Sequence, residues 1–157
     1  MGVVEFKEVD LRNGGKSNYY INIKKAYGYP EIKAELGDWI YSIIPKPITC
    51  IACSGHGGIP LADYISSKYG IKLSMVRDKS KEHGLENLID GYVPNEKDIV
   101  GIVDDVFSTG SSLRETIKNI GSTKAKIVGC YVVVKRGKGI LPVELKYLLT
   151  HKNLIKK

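Results

Sequence analysis

Two adjacent carboxylates, Asp104 and Asp105, close the apolar run "IVGIV", and a run of small hydroxyl and glycine residues, "STGSS", begins at Ser108. Ionised carboxylates side by side repel one another and are not buried unpaired; they call for hydroxyls, a metal or a cation in front of them. The hydroxyls, backbone N–H groups and helix start offered by 108–112 suit an anion, phosphate above all. A ribose carrying a 5-phosphate satisfies both halves, its diol meeting the acids and its phosphate the loop. An acid pair alone would read as a strand end before an ordinary N-cap. The whole pattern of β-branched strand, acid pair, two apolar residues and S-T-G-S-S is more specific than that.

Two other segments carry groups that could act on such a ligand. In "CSGHGGIPLA" (53–62), Gly55, Gly57 and Gly58 let a backbone come close to an anion, although a glycine-rich strand-to-helix turn is common on its own. In "VRDKSKEHGLENLIDG" (76–91), Arg77, Lys79, Lys81 and His83 are concentrated in a stretch whose first half has no apolar period. A charge run is usually a solvated face. A polar segment this long within a compact domain is more often functional or mobile. The cysteines do less: Cys50 and Cys53 lie three apart in a strand-like run, point to opposite faces and cannot share a metal, and Cys130 sits in a second such run. Buried, inert thiols in a reducing compartment are the expectation.

These residues need elements to hold them. Residues 17–26 read as a strand. Pro30 opens a helix with Ile32, Leu36, Trp39, Ile40 and Ile43 on its inner face, ended by Pro45. A buried strand over 47–53 leads through the glycine turn to a helix with Pro60 in its first turn and Gly70 as C-cap. Strands follow at 72–77 and 98–104, separated by the polar stretch 78–97. Ser112 and Glu115 have capping-box spacing for a helix over 112–120, with Leu113, Ile117 and Ile120 inward and Gly121 as its stop. Strands at 126–134 and 145–150 complete the chain. This alternation predicts an α/β fold, a mostly parallel twisted sheet flanked by helices. Continuously apolar strands suit a sheet covered on both faces, and ligands of such sheets bind at the carboxyl ends of the strands.

The 157 residues suffice for one domain, 1–157, with a real core. No apolar run approaches the ~20 residues that span a bilayer, and the first residues lack the apolar block of a signal peptide, so a cytoplasmic protein without membrane attachment is expected. A net charge of +7 favours anionic partners, but the lysines are dispersed rather than blocked, which makes nucleic acid unlikely.

The segment 99–113 resembles the 5-phosphoribosyl-1-diphosphate (PRPP) binding motif of type I phosphoribosyltransferases. The resemblance implies their fold, with residues 1–25 as a small N-terminal hood. It implies that Asp104 and Asp105 contact the ribose hydroxyls and that Val106, Phe107, Ser108, Thr109, Gly110, Ser111 and Ser112 form the PRPP loop. "GIPLA" is similar to orotate phosphoribosyltransferases in particular, whose equivalent loop binds the diphosphate, here Gly55, His56, Gly57 and Gly58. That family often has Tyr-Lys where this chain has His56-Gly57. The pattern V-R-x-x-x-K-x-H-G resembles the family's catalytic lid, which makes 76–91 a mobile lid and Arg77, Lys79, Lys81 and His83 the catalytic candidates; Asp78 replaces a usual lysine. "LRNGGKSNYYIN" (11–22) and "VVVKRGKG" (132–139) resemble the acceptor segments. They imply Arg12, Tyr19, Tyr20, Ser108 and Arg136 around orotate, with Lys135 where the family often has aspartate.

The implied reaction transfers phosphoribosyl from PRPP to orotate, giving orotidine 5′-monophosphate and diphosphate in pyrimidine biosynthesis. Mg²⁺ is the implied cofactor, held mainly through substrate and water rather than by a protein cage. A homodimer sharing its lid across subunits is the implied assembly. Two other readings stay open on sequence: a phosphoribosyltransferase for another base such as a purine, and a non-catalytic nucleotide-sensing regulator on the same fold.

Overall fold

A computed structural model describes residues 2–10, 16–77 and 88–155. The N-terminal part forms two short antiparallel ribbons: β1 (Val4–Glu5) pairs with β4 (Tyr20–Ile21), and β2 (Val9–Asp10) with β3 (Lys16–Ser17). The segment 17–26 is therefore not one strand. The Ser17 hydroxyl donates to the Tyr19 carbonyl at 2.8 Å, a local bond that competes with a strand ladder. After β4 the chain turns into a single helical turn, α1 (Lys24–Tyr27), which buries Ala26.

Helix α2 (Pro30–Ile43) opens on Pro30, where the missing N–H has no helical partner to lose. It buries Leu36, Gly37 and Ile40, whereas Trp39, expected inward, is 49% exposed. Gly37 is the cause: a Cβ there would strike the Tyr64 ring, so the closest approach to the neighbouring helix runs along Gly37 and turns Trp39 off the buried stripe.

The rest of the chain builds the sheet. In order come β5 (Cys50–Ser54), α3 (Gly55–Tyr69), β6 (Lys72–Val76), β7 (Ile89–Gly91), β8 (Ile99–Phe107), α4 (Ser111–Gly121), β9 (Lys126–Lys135), β10 (Leu145–Thr150) and α5 (His151–Ile155). The six strands lie in the order β10-β9-β8-β5-β6-β7, all neighbours parallel except the β6–β7 pair at the edge. β7 falls within the stretch 78–97 that read as polar loop, because Ile89 is buried against β6. The chain goes from β5 outward to β6, then returns to lay β8 on the other side of β5. The strand order reverses there, and the carboxyl ends of β5 and β8 flank a crevice.

One core lies under α2 and α3, with Ile51, Cys53, Val103 and Val133 facing Ile40, Leu61 and Ile65. The other lies under α4, with Cys50, Ala52, Ile102 and Val132 facing Leu113 and Ile120. Cys50 and Cys53 thus sit on opposite faces, and burial, with the charge of Asp104 adding, pushes the Cys53 and Cys130 thiols up to about 12.

Three boundaries differ from the sequence pattern where it matters for the crevice. β8 runs to Phe107, past the acids, because Asp104 and Val106 pair with Val132 and Val134 of β9. α3 begins at Gly55, so the glycine turn is the first turn of the helix and Pro60 lies further inside it. α4 begins at Ser111 with Gly110 as N-cap, so Ser112 is inside the helix and caps nothing. Gly70 is the left-handed C-cap of α3, as expected. Among the described residues, no helix is long and apolar enough to cross a membrane.

Candidate active site

Because side chains alternate along a strand, the two acids of β8 leave the sheet on opposite sides. Asp104 turns toward α4 and accepts the Ser112 hydroxyl at 3.2 Å and its neighbour's backbone N–H at 2.9 Å. Asp105 turns toward α1, where Lys24 Nζ stands 3.3 Å from Oδ2, and accepts the Val106 N–H at 2.8 Å. They are only 7% and 9% exposed. Burial, and then the charge of Asp105, raise the Asp104 carboxyl well above the usual carboxylate range. Burial works against the Lys24 ammonium, but the charge of Asp105, the Tyr20 phenol, the hydrogen bond to Asp105 and the charge of Asp104 together outweigh it, and Lys24 titrates higher than a free lysine.

The first turn of α3 comes up against these acids. A Cβ at Gly57 would meet the Asp105 carboxylate and lie 2.9 Å from Asp104 Oδ1. Gly57 is therefore where the glycine turn 55–58 and the acid pair touch. The Tyr27 hydroxyl donates to the Gly57 carbonyl at 3.0 Å and fastens α1 to this turn. Burial, with the charges of Asp105 and Asp104, pushes that phenol up and keeps it a donor.

The phosphate loop lies between β8 and α4. Gly110 takes the left-handed conformation, φ +79°, and as N-cap has no side chain to offer; the Ser111 N–H reaches the Thr109 hydroxyl at a long 3.5 Å, and the Thr109 and Ser111 hydroxyls lie 3.3 Å apart. The strap that follows β9 presses on this loop. Arg136 and Gly137 both donate backbone N–H bonds to the Phe107 carbonyl, at 2.8 and 3.2 Å. A Cβ at Gly137 would fall on the Ser108 carbonyl, and one at Gly139 on that of Thr109. The Arg114 guanidinium ties the far end of the strap through the Ile140 carbonyl, at 3.1 Å.

Arg136 joins the strap to the hood. Its guanidinium donates to the Ser17 hydroxyl at 2.5 Å and the Tyr19 carbonyl at 3.3 Å, and lies 4.6 Å from the Tyr19 ring centre. The structure thus gathers Ser108, Tyr19 and Arg136 of the acceptor set. The His151 ring stacks on Tyr19 at 6.3 Å, beside an open hollow of about 340 Å³ that these two line with Lys152 and Ile155. Tyr20 lies apart, paired with Glu5 across the ribbon. Arg77 stands just past the end of β6, where its Nε donates to Asp90 at 2.5 Å and its backbone N–H to the Leu88 carbonyl at 2.8 Å. Arg12, Lys79, Lys81 and His83 lie outside the described residues.

Lys24 and Tyr27 did not stand out in the sequence, since Lys24 read as part of the strand 17–26 and Tyr27 lay just beyond it. Their i, i+3 spacing, which puts both on one side of a helical turn, was the available signal.

A family model described as the phosphoribosyl transferase domain matches residues 27–153. The chain belongs to the phosphoribosyltransferase family. Among its relatives, the orotate phosphoribosyltransferase of Methanocaldococcus jannaschii is 37% identical over 160 residues, which cover 98% of this chain and 90% of that protein. The orotate phosphoribosyltransferase of Methanopyrus kandleri is 33% identical, with 88% of this chain and 74% of that protein covered. Among solved structures, orotate phosphoribosyltransferase from Aeropyrum pernix superposes with a TM-score of 0.87, covering 98% of this chain and 91% of that one, at 24% identity. At that identity the likeness is one of fold, and the fold is the family's: a mostly parallel sheet with its crevice where strand order reverses.

Proposed function

We propose that this phosphoribosyltransferase uses orotate as its acceptor, forming orotidine 5′-monophosphate and diphosphate from PRPP. The observation that carries the reading is the crevice at the ends of β5 and β8: an acid pair for a sugar diol and an open helix N-terminus for its phosphate, with the Arg136 guanidinium held beside them for an acceptor carboxylate. The names of the relatives just described support orotate as that acceptor.

In this reading Asp104 and Asp105 hydrogen-bond the ribose hydroxyls, and 108–112 hold the 5-phosphate. The turn 55–58 borders the diphosphate. Tyr19, Ser108 and Arg136 orient orotate, with Tyr20 supporting the hood and Arg12 completing the acceptor set. The bond from ribose C1 to the diphosphate oxygen breaks, the bond from C1 to orotate N1 forms, and the N1 proton leaves. The transition state resembles an oxocarbenium ion, so the protein's work is positioning, exclusion of water and stabilisation of the leaving charge. Lys81 and His83 of the lid, with Arg77 and Lys79, carry that last task, reaching the neighbouring subunit of a homodimer. The lid expected over 76–91 is narrower at both ends, since Val76 belongs to β6 and Ile89–Gly91 is β7; the stretch linking these strands serves as the lid of a single domain.

The donor set fits Mg²⁺. Two carboxylates, one of them held partly neutral by burial and by the other, gain from a cation, and among the described residues no group of three His, Cys, Asp or Glu forms a cage. Asp104 and Asp105 would help to hold Mg²⁺, carried mainly by substrate and water, and the ion would supply charge neutralisation at the diphosphate. Buried, unbridged thiols suit a reducing cytoplasm.

The test is turnover. Protein, PRPP, Mg²⁺ and orotate are mixed and orotate loss is followed by ultraviolet absorbance, with adenine, guanine and uracil in parallel. Orotate is expected to be consumed. No turnover with any base would refute the enzymatic reading, and turnover with a purine alone would refute the acceptor.

A further inference from the structure

We infer that Lys24 is a further cation for the donor's diphosphate, supplied from α1 in addition to the lid residues. The turn that borders that group, Gly55-His56-Gly57-Gly58, contains no lysine or arginine. A side chain at 57 would also run into the carboxylates of Asp104 and Asp105. Lys24 reaches the same spot from another element. Its Nζ lies 3.3 Å from Asp105 Oδ2, and Tyr27, one turn on in α1, holds the Gly57 carbonyl. Lys24, Asp105 and Gly57 therefore converge at the junction of the ribose acids with the diphosphate turn. The Lys24 side chain is 43% exposed against 12% for Asp105, so the ammonium lies over the acid from the solvent side, on the path of an incoming anion. The neighbouring Lys25 turns the other way, to Glu5 at 2.7 Å. One lysine of the pair anchors α1 to the hood ribbon and the other serves the crevice. Without ligand, Lys24 keeps a buried carboxylate paired. With the donor bound, its ribose hydroxyls would take over the acids and leave the Lys24 ammonium free for the diphosphate.

This rests on the donor half of the proposed function and not on orotate. Its test therefore uses binding rather than turnover: calorimetric titration of the whole protein with Mg²⁺-diphosphate and, separately, with ribose 5-phosphate. Lys24→Ala and Lys24→Gln are expected to weaken Mg²⁺-diphosphate by about tenfold or more and ribose 5-phosphate by less than about threefold, a tenfold change being about 1.4 kcal/mol. Lys24→Arg restores most of the diphosphate affinity, and Lys25→Ala leaves both ligands unchanged. In turnover, KM for PRPP rises in Lys24→Ala while KM for orotate holds. Unchanged diphosphate binding in a variant that melts at the wild-type temperature would overturn the inference. So would equal weakening of both ligands, which would mean that Lys24 acts only through Asp105. A wild-type protein that binds diphosphate but does not consume orotate would sink the acceptor assignment and leave the Lys24 result standing.

Discussion

Replacing Gly137 by alanine tests whether the strap really fixes the phosphate loop and Arg136 together. The new Cβ would land on the Ser108 carbonyl and 3.1 Å from Ser108 Cα. The obstructing atoms are backbone, which cannot swing aside as a side chain would, so the strap has to lift. Overpacking of this kind costs about 1–3 kcal/mol. Lifting also stretches the bond from Gly137 to the Phe107 carbonyl, 3.2 Å in the native protein, which contributes about 1 kcal/mol. Against this, alanine narrows the unfolded ensemble and returns about 0.4–1 kcal/mol. The net is a loss of about 2 kcal/mol, or about 4–8 °C in melting temperature for a chain of this size. Because Arg136 is the preceding residue, its guanidinium is drawn off Ser17 and Tyr19, and KM for orotate should rise about tenfold, roughly 1.4 kcal/mol. Calorimetry and steady-state kinetics read the two effects. Gly121→Ala is the control: no atom lies within 4 Å of a Cβ there, and the variant should melt at or slightly above the wild-type temperature. A Gly137→Ala protein with wild-type stability and wild-type KM for both substrates would refute the coupling.

Three other outcomes follow from the charges and thiols. The Asp104 carboxyl titrates above the usual range, so the folded state holds a proton that the unfolded chain has released. Stability from this group falls as pH rises above the ordinary carboxylate range, and Asp104→Asn should gain on the wild type across that window; a pH-independent difference in melting temperature would contradict it. Asp98 has the opposite sign: burial opposes its ionisation, but donors from Tyr92 at 2.8 Å, Asn95 at 3.0 Å and Thr49 at 2.8 Å, with Lys72, outweigh it and hold the carboxyl down to about 2. Its contribution is present at neutral pH and is lost as pH falls from about 4 through about 2. Asp98→Ala should cost about 2–3 kcal/mol in denaturant unfolding with kinetics unchanged, and an unmoved midpoint would disprove the network's role. Cys50, Cys53 and Cys130 should react with a thiol reagent only on unfolding, and labelling of the native protein would contradict their burial.

The geometry of 104–112 was legible in the sequence because it is local: acids, loop and helix start follow one another, and one strand-turn-helix unit positions them all. The alternating elements and both C-terminal strands were legible for the same reason, since apolar period is a short-range signal. What escaped depends on partners far along the chain. Lys24 meets Asp105 across 81 positions, and Arg136 meets Ser17 across 119. The run past the acids to Phe107 depends on β9, whose pairing lets β8 carry two charges that locally read as its end. Trp39 moved outward because Tyr64 of another helix packs on Gly37.

These misses share a direction. Ser112 had a capping role available at the start of α4, and its hydroxyl goes instead to Asp104. Lys24 and Lys25 are adjacent, yet only Lys25 takes the nearby Glu5 while Lys24 reaches across the fold to Asp105. Gly57 gives up a side chain at the place where one would crowd the same two carboxylates. In each case a local option loses to the field of a buried acid pair, which is strong because the pair is dry and because one of its members resists ionisation. That competition draws a positive charge and a hydroxyl onto the acid pair, Lys24 onto Asp105 and Ser112 onto Asp104. In the proposed reading, a Mg²⁺-bound sugar diphosphate would bring the charge and hydroxyls that Lys24 and Ser112 supply to the acids here, and so would free both side chains for its phosphates.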